Sequence, residues 1–286
     1  MSVSEGDKDI DFLAINRLNW DERAKVHFED ENDWYGIQGF LAGEDRRTPI
    51  DIAGLGDLGG KRVLHSQCHF GLDTLSAARF AESVVGLDFS SVALEYARQL
   101  AQQSGLTEKV SFVEANVLEA DKHLEPESFD VIYASWGVTG WLDDLSGWAR
   151  ALCRLLKPGG MFFYADAHPT LWLWDQTPRD QGEPLRQAYS YWIDGPIVED
   201  NITSYNESLT ACEHTQSVEF MHTLADYFRV FQAQGMQLDD FAEHDAVPWR
   251  ALPPMQMDPA DRQYRLPKGH LNLPLGFSMR WIKPSN

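Results

Sequence analysis

Residues 63–74, with the sequence VLHSQCHFGLDT, decide the fold of this chain. The apolar pair Val63 and Leu64 is typical of a short buried strand, and beyond Gly71 the spacing becomes that of a helix. A strand, a turn containing glycine and a helix in this order begin a βαβ unit. The histidines and the cysteine in the turn leave two interpretations open, a metal site or a modified form of a turn that binds a nucleotide.

Downstream of this segment, short apolar stretches alternate with helical periods. The predicted strands are 62–67, 83–88, 110–114, 129–135 and 161–165, and the predicted helices are 72–80, 91–104 and 142–156. Strands that alternate with helices of this length predict parallel βαβ units with right-handed crossovers, hence an α/β, three-layer, doubly wound sheet.

The segments on either side of this core have a different character. Residues 11–29 predict a helical N-terminal arm, and residues 168–222 are rich in Pro, Trp and Tyr without a regular period. Loops of that length are usually functional lids or insertions. A helix at 223–233 and a strand at 236–244 follow, then a second irregular stretch at 248–273 and the apolar terminal strand LGFSMRWIK.

The composition excludes several classes of protein. The 286 residues are 43% apolar, which suffices for a large core, and 44 acidic against 24 basic residues give a net charge of -20. Such a surface repels a phosphate backbone, so no nucleic-acid partner is expected. The sequence has no run of eighteen apolar residues and no secretory pattern in its first residues, and its three cysteines are scattered. We therefore expect a soluble, cytoplasmic protein without a membrane partner.

In a doubly wound sheet, the ligand lies beyond the carboxyl ends of the strands. The segment from Gln67 to Thr74 enters a helix there, and Asp88 ends the next strand at a position suited to bind ribose hydroxyls. Asn116 can both donate to and accept from an adenine edge. Ser135 and Trp136 follow the strand beyond the crossover. These four stretches are expected to surround one crevice.

The motifs VLHSQCHFGLDTLSAA, VVGLDFSSVALEYAR, FVEANVLE, FDVIYASWGV and LLKPGGMFFYAD resemble, in order, those of class I S-adenosylmethionine-dependent methyltransferases. The resemblance covers residues 60–166 and extends to the last helix and two strands. It implies a mostly parallel seven-stranded sheet whose last strand is antiparallel, with S-adenosyl-L-methionine as cofactor. The residues expected to contact the cofactor are Gln67, His69, Gly71, Asp73, Thr74, Asp88, Phe89, Asn116, Val117, Ser135 and Trp136.

The first motif departs from the family pattern. The family has an acidic residue and three alternating glycines, where this chain has His65, Gln67, His69 and Gly71. Side chains therefore stand where main chain usually approaches the cofactor, and the amino group of its methionine end is expected near Asp73 and Thr74. The family also has an aspartate at the place of Asn116.

Four regions follow from this interpretation. Residues 1–58 would cover the cofactor, 59–166 bind it, 167–222 form a substrate lid, and 223–286 complete the core with a second loop insertion. The many aromatic residues predict an apolar pocket for a small organic molecule, with Trp20, Tyr35, Trp141, Trp172 and Tyr191 as substrate contacts. The aromatic residues of the insertion would also suit a second small core or a homodimer contact.

His168 is the candidate general base, because Pro169 forces an extended exit from the fifth predicted strand towards the crevice. A histidine that only bonds the lid main chain fits the sequence equally well. Trp148 lies mid-helix at core spacing, whereas Trp136 fits either the core or the crevice.

The alternatives to methyl transfer are a zinc site, an oxidoreductase and a protein without catalysis. A zinc site at His65, Cys68 and His69 lacks further ligands at suitable spacing, so no metal is expected. A nicotinamide-dependent oxidoreductase needs three glycines where this turn has one. A binding or regulatory protein that kept the fold and lost catalysis remains open, because fold does not determine function.

Overall fold

The structure is a computed structural model that describes residues 11–176, 184–193, 195–206 and 210–285. Its centre is a seven-stranded sheet with the order β3-β2-β1-β4-β5-β11-β8. The strands of this sheet are β1 (Arg62–Ser66), β2 (Ser83–Asp88), β3 (Val110–Glu114), β4 (Phe129–Ser135), β5 (Leu156–Ala167), β8 (Gln237–His244) and β11 (Gly276–Ile282). β1 to β5 pair in parallel, and β11 pairs antiparallel with both β5 and β8. The predicted fold class and the antiparallel last strand are confirmed.

Eight α-helices are found in the described part of the chain. They are α1 (Phe12–Phe28), α2 (Ile37–Leu41), α3 (Pro49–Leu55), α4 (Leu72–Ala78), α5 (Ser91–Gln103), α6 (Ala120–His123), α7 (Leu145–Leu155) and α8 (Leu224–Ala233). The sequence predicted α1, α4, α5, α7 and α8 but not the short helices α2, α3 and α6. The seven residues of α3 depend on a capping box between Thr48 and Asp51, a local signal without a long apolar period.

The alternation of side chains along each strand builds two cores. On β4, Val131 and Tyr133 face a cluster with Ala77 of α4, whereas Ile132 and Ala134 face a cluster that contains Trp148 of α7. Because both faces are covered, the central strands are apolar on both sides, as parallel sheets require. These two layers hold the strand ends at fixed positions along one edge of the sheet.

β5 is longer than predicted. It pairs with β4 at Phe129↔Leu156 and again at Val131↔Met161, with an irregular register between these pairs. The KPGG segment therefore lies within the strand as a bulge, with Gly159 at φ 76°. The sequence predicted the strand only at 161–165, after this segment.

The two irregular stretches contain short hairpins that the sequence did not predict. β6 (Ile197–Asp200) pairs with β7 (Gln216–Glu219), and β9 (Gln256–Asp258) pairs with β10 (Gln263–Arg265). The arm helix α1 is attached to the first hairpin, because the Asn16 side chain donates to Val218 O and accepts from Val218 N, both at 2.8 Å. The arm and the first insertion thus close over the sheet together.

Candidate functional site

A cavity of about 1350 Å³ lies beyond the carboxyl ends of β1, β2 and β4. Its floor is formed by the turns after these strands, and its walls come from α1, the segment 46–48 and both insertions. Pockets for a single drug-sized ligand have volumes of about 300–1,000 Å³. The cavity therefore has room for a cofactor and a second small molecule.

Gln67 and His69 adopt the left-handed conformation that favours glycine, with φ of 57° and 52°. Their side chains leave the turn in different directions. Gln67 Nε2 donates to Val138 O in the loop after β4 at 2.8 Å, and His69 Nε2 lies 2.9 Å from His27 Nδ1 of α1. The turn without its usual glycines is therefore braced by side chains, and both residues line the cavity together with Gly71.

Asp88 holds the same turn from β2. Its Oδ2 accepts from His69 N at 2.8 Å and its Oδ1 accepts from Ser90 N at 2.9 Å. Burial raises the pKa of Asp88 to about 6, against the opposing effect of these main-chain donors. The carboxylate lines the cavity at the end of its strand, where the sequence placed a ribose contact.

Phe89, Asn116 and Val117 line the cavity next to Asp88. The Asn116 side-chain oxygen accepts from Leu118 N at 3.0 Å and thereby caps a short 3-10 helix. This bond orients the amide group just beyond the carboxyl end of β3. The remaining capacity of the Asn116 amide is available for a ligand, as the adenine interpretation requires.

The loop after β4 is fixed by two buried carboxylates. Asp166 accepts from Gly137 N at 2.6 Å and from Tyr164 Oη at 2.9 Å, and Asp51 accepts from Trp136 Nε1 at 3.0 Å. Trp136 is itself left-handed at φ 60°. Burial raises the pKa of both carboxyl groups. Ser135 and Trp136 line the cavity, and the indole nitrogen of Trp136 is already occupied by Asp51.

The two candidates at the start of α4 have different positions. Asp73 lines the cavity and makes no hydrogen bond or ion pair within the described residues, whereas the Thr74 hydroxyl lies 2.8 Å from His65 Nδ1 and does not line the cavity. Burial, with Asp51 nearby, raises the pKa of Asp73 to about 7, while Arg46 opposes this effect. Asp73 therefore offers a free carboxylate to a ligand, and Thr74 supports the floor from below.

Three buried polar atoms on the cavity floor have no hydrogen-bond partner among the described residues. They are His65 Nε2, Gln67 Oε1 and Ser135 Oγ. Buried polar groups without partners are costly and are uncommon in native proteins. A ligand with its own polar groups would satisfy them, so the floor fits the polar amino-acid end of S-adenosylmethionine.

Among the predicted substrate contacts, Trp20, Tyr35, Trp141 and Trp172 line the cavity. Tyr191 does not line it and packs against Trp192, which is 80% exposed. The sequence treated all insertion aromatics alike because no period distinguishes inward from outward positions there.

His168 is placed away from the cavity. Its neighbours Ala167 and Pro169 line the cavity, but the imidazole is buried with Nδ1 2.8 Å from Thr170 Oγ1 and Nε2 3.1 Å from Glu243 Oε1. Burial lowers the pKa of His168, and Glu243 opposes this effect. The reason is the alternation along β5, which directs Ala167 towards the cavity and its successor to the opposite side.

The cluster of His65, Cys68 and His69 does not converge. His65 stacks on Tyr133 and bonds Thr74, Cys68 lies against its own turn, and His69 bonds His27. Among the described residues, no three His, Cys, Asp or Glu side chains are grouped so as to hold a metal ion. None of the helices in the described residues is long and apolar enough to cross a membrane.

Several cavity residues were missed by the sequence reasoning. The hairpin of β6 and β7 contributes Glu199 and Glu219, the second insertion contributes Trp249, and the arm contributes Arg23. Trp249 stacks on Trp172 at 6.2 Å between ring centroids. The helical period of α1 was the only indication in the sequence that Arg23 lines the cavity. Arg23 lies one helical turn from Trp20, on the same face of the helix. Nothing local in the sequence marks the hairpin residues.

The sheet order and the strand-end cavity define the class I methyltransferase fold, and comparisons with known proteins agree. Residues 64–164 match the family model described as a methyltransferase domain. A crystal structure of an S-adenosylmethionine-dependent methyltransferase from Mesorhizobium loti is similar with a TM-score of 0.56 and 21% identity, covering 85% of this chain and 99% of that one. At this identity the likeness concerns the fold.

Two relatives in sequence are similar over part of their length. The methyltransferase phqN of Penicillium fellutanum is 29% identical over 195 residues, 66% of this chain and 51% of that protein. A ubiquinone biosynthesis O-methyltransferase of Klebsiella pneumoniae is 32% identical over 137 residues, 46% of this chain and 54% of that protein. The matches to these relatives span about half of their length. Residues 64–164 of this chain therefore match a methyltransferase domain, and the chain has the fold of the solved S-adenosylmethionine-dependent methyltransferase.

Proposed function

We propose that the protein transfers a methyl group from S-adenosylmethionine to a small organic acceptor bound in the same cavity. The observation that carries this proposal is the large cavity at the strand ends, with the Asp88 carboxylate on one side and tryptophans from both insertions on the other. The relatives named as methyltransferases support it.

The cofactor would lie across the turns after β1, β2 and β4. Asp88 would accept from the ribose hydroxyls, Phe89, Asn116 and Val117 would contact the adenine, and Gln67 Oε1 with Asp73 would accept from the amino group. The bound cofactor supplies the electrophilic methyl group. The unpartnered floor atoms and the free Asp73 carboxylate support this orientation.

The protein's own contribution to catalysis would be alignment and exclusion of water. In-line methyl transfer requires little covalent help once the acceptor atom and the methyl group are held in contact. The stacked pair of Trp172 and Trp249, with Trp136 near by, offers planar apolar surfaces to an acceptor. His168 has no part in this proposal, because its ring faces Thr170 and Glu243.

The division into regions follows the same assignment. Within the predicted regions, the described part of 1–58 would cover the cofactor, 59–166 would bind it, and the described parts of 167–222 and of the second insertion in 223–286 would enclose the acceptor. Residues 1–10, 177–183, 194, 207–209 and 286 lie outside the described residues. A small-molecule acceptor is favoured by the enclosed apolar walls. The cytoplasmic location and the homodimer stay predictions of the sequence, as does the alternative of a cofactor-binding protein without catalysis.

Isothermal titration with S-adenosylmethionine and, separately, NADH tests the proposal. We expect binding of S-adenosylmethionine alone, weakened about 10- to 100-fold in Asp88→Ala because bonds to a charged group are worth about 1.5–3 kcal/mol. Asp130→Ala is the control. The Asp130 carboxylate also accepts hydrogen bonds, from a main-chain N–H and from a lysine, but Asp130 does not line the cavity. Binding of NADH, or undiminished affinity in Asp88→Ala, would overturn the assignment.

A further inference from the structure

Arg23 of α1 is a buried cation without a counter-charge in contact. The residue is 6% exposed and lines the cavity, yet its side chain makes no hydrogen bond or ion pair within the part of the chain that is described. Its guanidinium lies over two rings, with Cζ 5.6 Å from the centroid of Trp20 and 6.0 Å from that of Trp141. An unpaired buried charge costs several kcal/mol, which contact with an anion offsets.

The surroundings of Arg23 contain one carboxylate that it influences without touching. Arg23 lowers the pKa of Glu219, which burial raises to about 7, but no ion pair joins the two side chains. The other titratable groups that Arg23 acts on are His27, His69, Tyr35, Tyr205 and Cys212, and the pKa shifts of all five keep them neutral. The guanidinium therefore presents its donors to the cavity instead of to the protein.

The position of Arg23 relates it to the turn after β1. Trp20, which lies beside Arg23, also contacts His69 edge-to-face at 5.4 Å and Trp141 at 5.2 Å. Arg23 thus stands over the junction between the first turn and the loop after β4. Two of the three floor atoms without partners are at these places: Gln67 Oε1 is in the first turn, and Ser135 Oγ is at the end of β4, where the loop begins.

We propose that Arg23 binds the carboxylate of the cofactor's methionine end, so that a side chain of the arm replaces the main-chain contacts of a glycine-rich turn. This inference depends on the proposed function. It explains how Gln67 and His69 can occupy glycine positions: their side chains brace the turn, and the charged end of the ligand is held from above. A guanidinium suits a carboxylate because its planar donors match both oxygens.

Binding of four ligands tests this assignment without any acceptor. S-adenosylhomocysteine has the whole amino-acid end, 5′-methylthioadenosine lacks it, and decarboxylated S-adenosylmethionine lacks the carboxylate alone. S-adenosylmethionine is the reference for the decarboxylated ligand. By isothermal titration, Arg23→Gln should weaken S-adenosylhomocysteine about 10- to 100-fold and leave 5′-methylthioadenosine within about twofold. Lys25→Gln, which removes the same charge from the exposed side of α1, should change neither affinity.

The decarboxylated ligand gives a second readout on the unmodified protein. Wild type should prefer S-adenosylmethionine over it by about tenfold or more, and this preference should largely disappear in Arg23→Gln. If that variant does not fold, Arg23→Lys in the same comparison should retain part of the preference. Equal loss of S-adenosylhomocysteine and 5′-methylthioadenosine, or an unchanged preference, would overturn the role of Arg23. Failure of wild type to bind either adenosyl ligand would instead overturn the proposed function.

Discussion

The two halves of the cavity are built in different ways. The half over β1, β2 and β4 consists of strand-end turns fixed by buried carboxylates, such as Asp88 on His69 N and Asp166 on Gly137 N. The half under the insertions consists of aromatic side chains on irregular segments and short hairpins, such as Trp172 stacked on Trp249. The first half is fixed by the sheet, and the second by packing among residues distant in sequence.

This difference separates what the fold specifies from what the individual chain specifies. Strand ends must meet at one edge of a parallel sheet, so any chain with this fold has a ligand crevice there. The walls above that edge are free to vary in length and composition. We therefore infer that the sheet determines where the cofactor binds, whereas the insertions determine which acceptor binds.

The largest expected effect distinguishes a core tryptophan from a wall tryptophan. Trp148 is fully buried against Phe162, Tyr164 and Phe231, so Trp148→Ala should lower the free energy of unfolding by about 3–5 kcal/mol. Trp172 borders an open cavity, and Trp172→Ala should cost about 1 kcal/mol or less. Urea unfolding measures both. Equal decreases in the free energy of unfolding would show that Trp172 belongs to the core and is not a wall residue.

A medium effect concerns pH and the amino group of the ligand. Because burial raises the pKa of Asp73 to about 7, its carboxyl group is largely protonated and neutral below pH 7 and largely charged above it. Affinity for S-adenosylhomocysteine should therefore rise from pH 6 to pH 8, by at most about tenfold per pH unit. The charged neighbours that act on Asp73 are Asp45, Asp51, Arg46 and Arg47.

The control for this pH dependence is 5′-methylthioadenosine, which has no amino group. Its affinity reports the titration of Asp88, whose pKa is about 6, without that of Asp73. Titrations of both ligands should differ in slope for wild type and coincide for Asp73→Asn. A steeper slope that persists in the variant would assign the dependence to another group.

The smallest expected effect concerns the left-handed turn. Gln67→Ala loses the bond to Val138 O and keeps the strained φ, whereas Gln67→Gly loses the bond but relieves the strain. The glycine variant should therefore be more stable than the alanine variant by about 1–2 kcal/mol. Chemical unfolding of the pair decides it. The reverse order would mean that the turn is not left-handed at this position.

The sequence predicted the sheet half of the cavity closely. β2, β3 and β4 have the predicted bounds, because short apolar runs between turn signals mark buried parallel strands. The placement of Asp88 and Asn116 at the cavity followed directly, since strand ends determine it. The bracing roles of Gln67 and His69 did not follow, because left-handed backbone at residues other than glycine is uncommon and has no sequence signal.

The insertion half was predicted only in outline. Aromatic composition indicated an enclosed pocket, but it did not distinguish Trp172, which lines the cavity, from Tyr191, which does not. His168 was expected at the cavity from its neighbour Pro169, and the alternation of β5 places it on the other side. The sequence does not indicate a role for Arg23. That role depends on the lack of a charged partner for its side chain, which is visible only in the three-dimensional contacts.

A crystal structure of the complex with S-adenosylhomocysteine would show directly where the ligand lies. We expect the ribose hydroxyls within hydrogen-bond distance of Asp88 and the carboxylate facing Arg23. We also expect the sulfur atom to face the space between Trp136, Trp172 and Trp249. A ligand bound elsewhere, or an adenosyl group under the insertions with the strand ends empty, would show that the cofactor site is assigned wrongly.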